Sequence, residues 1–378
     1  MKLCVFPNDP IISYFKKGEI KSRYFNPCDI FDEIYIISFI ENDIESSKVQ
    51  LLAGNAILKI FSMGKLNTLN LKRKKDVVLN LVKEIDPDVI RAYNAKLEGW
   101  IAAYCSNNLG KPFFVSIHAQ YDGYRKLVKS KDFKKYLLLQ YSRKFIEPYV
   151  LKNANKITGV YKIIEPYVYD IIKKKPEILY NKVDLKRFTP KIKKTLTEKP
   201  LILSVSRLSS QKNHHILIKS VKDIDVHLQI IGDGELSKEL QELVKELDIE
   251  NKVSFIKSVP NNEIQNYYQS ADIFALAYDP KIEGVPIPVL EALASGMPIV
   301  ISKPVQGLSD GLEECAAFAD LEPNSFKEQF LRILDNEKYR EKLCKNAITK
   351  SGNFNFDKIE NREKEIYQEL IDSKNTKL

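Results

Sequence analysis

Short apolar runs alternate with longer stretches of helical periodicity along the whole chain. Runs rich in β-branched and aromatic residues predict strands over residues 2–6, 33–38, 88–92, 113–117 and 156–159. Between them, residues 72–85 and 97–109 carry apolar positions at helical spacing, which predicts amphipathic helices. The pattern is cleaner further on, with strands predicted over 201–206, 227–231, 252–255, 272–275 and 299–302. Strands that alternate with helices in this way build parallel βα units. A charged amphipathic helix is predicted over 356–371.

One stretch breaks the alternation. Residues 181–200, NKVDLKRFTPKIKKTLTEKP, are polar, Lys-rich and punctuated by proline, and a new strand pattern follows at once. A chain of 378 residues exceeds what a single core usually organises. The expected organisation is a domain over 1–180, a second over 181–355, and a terminal helix over 356–378 that returns to the first. The fold class is α/β: two Rossmann-like, doubly wound domains facing each other across a cleft. Ligands of such sheets sit at the carboxyl ends of strands, so the strand-to-helix turns hold the candidate chemistry.

Charge divides the chain as the pattern does. Residues 1–190 hold 33 Lys+Arg against 20 Asp+Glu, and the remainder holds 26 against 30. The basic half matches no helix-turn-helix, zinc finger or RNP pattern, which argues against nucleic acid; an anionic membrane or a phosphate-bearing acceptor fits better. Cys4, Cys28, Cys105, Cys315 and Cys344 are odd in number and scattered, as reduced thiols would be. No apolar run is long enough to span a bilayer, and the first residues lack signal-peptide architecture. The expected location is cytoplasmic, with peripheral contact at the inner face of a membrane.

Four turns of the second half carry the candidate chemistry. In VSRLSSQKNH, Arg207 and Lys212 flank a strand-to-helix turn, where two cations can converge on a diphosphate; solvated surface charge is the plain alternative. In IIGDGE, Gly232 and Gly234 permit a tight turn. Lys257, Ser258 and Val259 form a loop whose backbone could meet a flat base, or could simply connect two elements. Glu283-Gly284-Val285-Pro286-Ile-Pro288-Val-Leu-Glu291 places one glutamate in a proline-rich turn. The other lies inside an apolar helix starting near Pro288, where a carboxylate needs a partner.

Taken together, S-R-L-x-x-x-K-N from Ser206 and E-G-x-x-x-P-x-x-E-A-x-A-x-G-x-P from Glu283 resemble the retaining family 4 glycosyltransferases of GT-B fold. The segment N-K-V-D-L-K-R-F from Asn181 resembles the family's N-G-V-D-x-x-x-F. By that resemblance Arg207 and Lys212 hold the diphosphate of a UDP- or GDP-sugar and steady the leaving group. It gives Glu291 the ribose hydroxyls, Glu283 a place near the transferred sugar, and the backbone of Gly232, Gly284, Val285 and Pro286 a place along the donor. No cofactor and no divalent metal is expected. Many members read E-G-F-G, whereas Pro286 replaces the second glycine and removes an N–H.

The first half matches less closely. His118, at the end of a predicted strand, is the candidate for contact with the donor sugar or its phosphate; capping of its own strand is the alternative. Tyr121 and Asp122 are acceptor-side candidates, and Gly18 and Glu19 could replace the family's absent glycine-rich first loop. From Arg125 to Phe145, eight basic residues interleave with Leu, Tyr and Phe, offset only by Asp132. This reads as a basic amphipathic helix for an anionic membrane, or as a solvated helix with a core-facing stripe. The resemblance implies transfer to a glycan, lipid-linked or protein acceptor. An inactive sugar-nucleotide-binding or scaffold member of the same fold is the alternative, and an epimerase or phosphorylase-like enzyme fits the paired glutamates less well.

Overall fold

A computed structural model describes residues 1–190, 196 and 199–375. Part of the polar stretch expected at the domain junction, residues 191–195 and 197–198, lies outside the described residues. The chain forms two compact units: Met1–Tyr180 joined by the chain from Ile359 onward, and Asn181–Lys358.

In the first unit β1 (Lys2–Phe6), α1 (Ile11–Lys16), β2 (Glu33–Ser38) and β3 (Ile57–Ser62) lead into α2 (Leu71–Ile85), β4 (Val89–Ala92), α3 (Leu97–Leu109) and β5 (Phe113–Ile117). Then follow α4 (Tyr121–Lys129), α5 (Phe133–Tyr141), a π-helical turn at Ser142–Ile146, α6 (Glu147–Asn153), β6 (Lys156–Gly159), α7 (Ile164–Ile172) and the short β7 (Glu177–Ile178). The sheet runs β3-β2-β1-β4-β5-β6-β7, and all its pairings are parallel. The strands are apolar on both faces, as a sheet covered by helices on both sides requires. Leu3, Val5, Ile34, Ile36 and Phe114 are fully buried among them.

The second unit contains β8 (Leu201–Val205), α8 (His214–Ser220), β9 (His227–Ile231), α9 (Ser237–Glu246), β10 (Val253–Ile256), α10 (Ile264–Ser270) and β11 (Ile273–Leu276). These are followed by α11 (Ile287–Ala294), β12 (Ile299–Ser302), β13 (Ala317–Ala319), α12 (Pro323–Asp335) and α13 (Glu337–Ser351). Its sheet order is β10-β9-β8-β11-β12-β13, parallel throughout. The order reverses between β8 and β11, and the crevice beyond the carboxyl ends of strands at such a reversal is where these sheets bind ligands.

The last helix, α14 (Phe356–Asn375), is one element whose greater part packs into the first unit. Tyr367 is fully buried edge-on to Phe31 and Phe114, with centroids 5.0 and 5.4 Å away. Arg362 binds Glu177 with a two-pronged contact of 2.7 and 3.0 Å.

Candidate active site

The turn after β8 and the turn after β11 flank the reversal of the second sheet, and two side chains close the gap between them. Lys212, buried at the end of a 3-10 turn (Ser210–Lys212), donates from Nζ to Glu283 Oε2. Gln211 Nε2 lies 3.4 Å from the other carboxylate oxygen, Glu283 Oε1. The backbones are tied as well: the Asp279 N–H donates to the Gln211 carbonyl at 2.8 Å, and Asn213 Nδ2 to the Ala277 carbonyl at 3.0 Å. Asn213 takes the left-handed conformation between the 3-10 turn and α8, a position asparagine tolerates better than most residues. Glu283, Gly284 and Val285 also line a cavity of about 10 Å³ with Tyr278, Ser309 and Asp310, room for about one water.

Beside Lys212, His214 opens α8 with its Nε2 2.9 Å from Ser206 Oγ. Burial, reinforced by the Lys212 and His215 charges, pushes its pKa down to about 4. Arg207 is different in kind. Its side chain is 75% exposed and meets only the rim, with Glu235 at 3.5 Å. Lys257 likewise reaches Asp233 at 3.5 Å, so the loop that begins at Lys257 meets the Gly-Asp-Gly turn.

Gly232 has φ +152°, and a Cβ there would stand 1.9 Å from the Ser206 carbonyl oxygen. A Cβ on Gly234 would stand 2.3 Å from that of Leu208. The glycines therefore let the turn after β9 lie against the chain's own backbone beside Arg207. Pro286 caps α11 with φ −60° and ψ 154°, and Pro288 takes its first turn. Glu291 lies one turn inside, where its Oε2 accepts from Tyr268 Oη at 2.8 Å.

In the first unit His118 follows β5. Its Nε2 is buried without a hydrogen-bond partner, and its ring lies 5.7 Å from that of Tyr93. Burial, helped by the Arg91 charge, pushes its pKa down to about 4. Arg91, at the end of β4, is itself buried between Phe114 and Tyr93, donates to Ser116 Oγ at 2.6 Å and lies 3.5 Å from Glu363 of α14. Tyr121 and Asp122 open α4. Tyr121 is buried, while Asp122 bonds Arg125 at 2.8 Å and Arg143 at 3.2 Å. Gly18 terminates α1 in the left-handed conformation, and the Glu19 N–H donates to the Tyr14 carbonyl. That is an ordinary helix ending.

Residues 186–350 match the family model of glycosyl transferases group 1. This segment is a group 1 glycosyltransferase domain. Over 300 residues the chain is 26% identical to an uncharacterized glycosyltransferase of Methanocaldococcus jannaschii, covering 78% of each. It is 32% identical over 197 residues to a Campylobacter jejuni N-acetylgalactosaminyltransferase named for a diphospho-undecaprenol substrate, covering 50% of this chain and 53% of that one. An Anabaena protein solved with UDP, and again with UDP-glucose, shares the fold. Its TM-score is 0.73 at 17% identity, over 98% of this chain and 100% of its own. The fold is GT-B, as the resemblance implied.

Within the group 1 domain the structure joins Lys212 directly to Glu283 and sets the Gly232 turn against the Arg207 turn. It joins Glu291 to α10 instead. Three residues escaped the sequence reading: Gln211, an unremarkable x of the S-R-L-x-x-x-K-N pattern, His214, just beyond it, and Tyr268, which no motif marks. Literal Asp-x-Asp triplets do occur at Asp86–Asp88 and Asp223–Asp225, but they precede β4 and β9, at the opposite strand ends from these turns. Asp86 pairs with Lys111, Asp88 accepts from the Lys2 N–H at 2.7 Å, and Asp223 pairs with Lys327.

The basic stretch from Arg125 to Phe145 is two helices, since Asp132 caps a fresh start at α5 by accepting from the Lys135 N–H. Arg125 is buried and grips Glu147 with both terminal nitrogens, at 2.9 and 2.8 Å.

Proposed function

We propose that the chain is a retaining, metal-independent glycosyltransferase that uses a UDP- or GDP-sugar and works on a lipid-linked acceptor at an anionic membrane surface. The contact that carries this reading is Lys212 with Glu283 across the sheet reversal. It sets a buried cation and a carboxylate side by side at the place where such sheets bind ligands. Arg207 and Lys212 would hold the diphosphate, Glu291 the ribose hydroxyls, and the backbone of Gly284, Val285 and Pro286 the sugar side. Lys257, Ser258 and Val259 would face the base. The acceptor hydroxyl forms the new bond to the anomeric carbon as the phosphate oxygen leaves, and its proton passes to that phosphate oxygen. The two cations steady the departing charge, so no protein base is required. Within the first unit, His118 is held as a neutral imidazole able to donate or accept a hydrogen bond.

The acceptor side rests on α5. None of its residues is buried; Phe133, Leu137 and Tyr141 stand one helical turn apart, with Leu138 exposed beside Leu137 and Phe145 following. Lys126, Lys129, Lys131, Lys134, Lys135 and Lys144 are exposed around them. Apolar side chains ringed by lysine fit the boundary of an anionic bilayer. The Campylobacter relative's name points to a lipid diphosphate as well.

Donor binding is tested by titrating UDP and GDP into the full chain. One of them binds, and Lys212→Met weakens it by about tenfold or more, the scale of a lost hydrogen bond to a charged group. Equal binding by the variant contradicts the assignment.

A further inference from the structure

The Lys212–Glu283 contact joins two groups that the proposed reaction needs apart. Lys212 has to meet phosphate, and Glu283 has to face the sugar. The contact is nevertheless firmly built. Lys212 is 8% exposed, Gln211 engages the second carboxylate oxygen, and the Asp279 N–H bond to the Gln211 carbonyl holds the two turns in register. Arg207, open at the rim, can receive an anion without breaking any buried contact. An anion at Lys212 would have to share its ammonium with Glu283.

We propose that Lys212 and Gln211 hold Glu283 in a resting latch, which the donor diphosphate opens by taking Lys212, while Gln211 stays on as the positioning residue of the freed carboxylate. The proposal rests on the donor reading given above. A carboxylate and a diphosphate compete for one compact ammonium, and their like charges drive Glu283 away once phosphate arrives. Gln211 bonds Glu283 through a neutral amide, so the arriving anion does not compete for it on charge. The glutamate is therefore delivered to the sugar only when the site is loaded, and the energy of the broken pair is subtracted from donor affinity. No covalent bond changes in this step.

Titration of the full chain with the nucleoside diphosphate that binds it, UDP or GDP, tests the latch. The variants are Glu283→Gln, Lys212→Met, the two combined, and Gln211→Ala, each checked by thermal unfolding. Glu283→Gln preserves shape and removes the charge; it binds the diphosphate at least about fivefold more tightly, the low end of coupling between linked sites, although transfer is lost. In the Lys212→Met background the same change leaves affinity nearly unaltered. Gln211→Ala lowers kcat while the donor KM stays close to that of the unaltered chain.

A Glu283→Gln chain that binds no more tightly overturns the latch. So does a gain of equal size in both backgrounds, which would be a general field effect. An unchanged kcat in Gln211→Ala removes the positioning role. Undiminished binding by Lys212→Met alone fails the donor reading instead, so the two failures are distinguishable.

Discussion

His118 and His214 share a physical state from opposite units of the chain. Each is pushed down to about pKa 4 by burial, and each has a cation nearby, Arg91 or Lys212. An unfolded histidine protonates near 6.5, so between roughly pH 6.5 and 4 the unfolded chain binds more protons than the folded one. Stability attributable to these rings is complete above that window and is lost as pH falls through it. Histidine ring NMR should show the His118 and His214 side chains untitrated at pH 5, with urea unfolding at pH 5 giving a lower midpoint than at pH 7. Titration of both rings near 6.5 would refute the burial account. His118 was legible in sequence, whereas His214 and the partners of both rings were not. Glu283 lies 71 positions after Lys212, and Asp122 lies 21 before Arg143, distances over which no local pattern operates.

Among elements, the strands with continuous apolar runs were the readable ones. β1, β2, β5, β6, β9 and β12 fall on the residues their patterns predict, because a parallel sheet covered on both faces leaves no alternation to confuse with a helix. The exceptions have reasons. β3 is an edge strand whose Ile57 is exposed and whose Lys59 interrupts the run, β7 has two residues, and β13 is Ala-Phe-Ala. The helix read from Arg125 to Phe145 became two because Asp132 serves as a cap. That division matters, since α4 turns inward with Tyr121, Arg125 and Val128 while α5 buries nothing. Replacing Leu137 and Leu138 by Glu should cut co-sedimentation with anionic vesicles by about tenfold or more, given the 1.5–3 kcal/mol that each buried Leu contributes. Binding that ignores those substitutions, or that ignores the anionic lipid fraction, would reject α5 as the membrane seat.

At the scale of the whole molecule, the division of charge follows the division of labour. The half with 33 basic residues against 20 acidic carries the lysine-ringed α5, and the half with 26 against 30 carries the group 1 domain and its few buried or rim cations. On the proposed function, excess positive charge would favour an anionic surface, and Arg207 and Lys212 at the sheet reversal would meet the donor diphosphate. Among the described residues no helix is long and apolar enough to cross a membrane, and the proposed lipid contact would use exposed faces such as α5. The central claim is sugar transfer from a nucleotide donor, and nucleoside diphosphate release from UDP- and GDP-sugars, assayed with lipid-linked acceptors in the presence of EDTA, tests it most directly. The account predicts acceptor-dependent release that survives EDTA in the unaltered chain and stops in Glu283→Gln. Full release by Glu283→Gln, or release that requires a divalent metal, would contradict it.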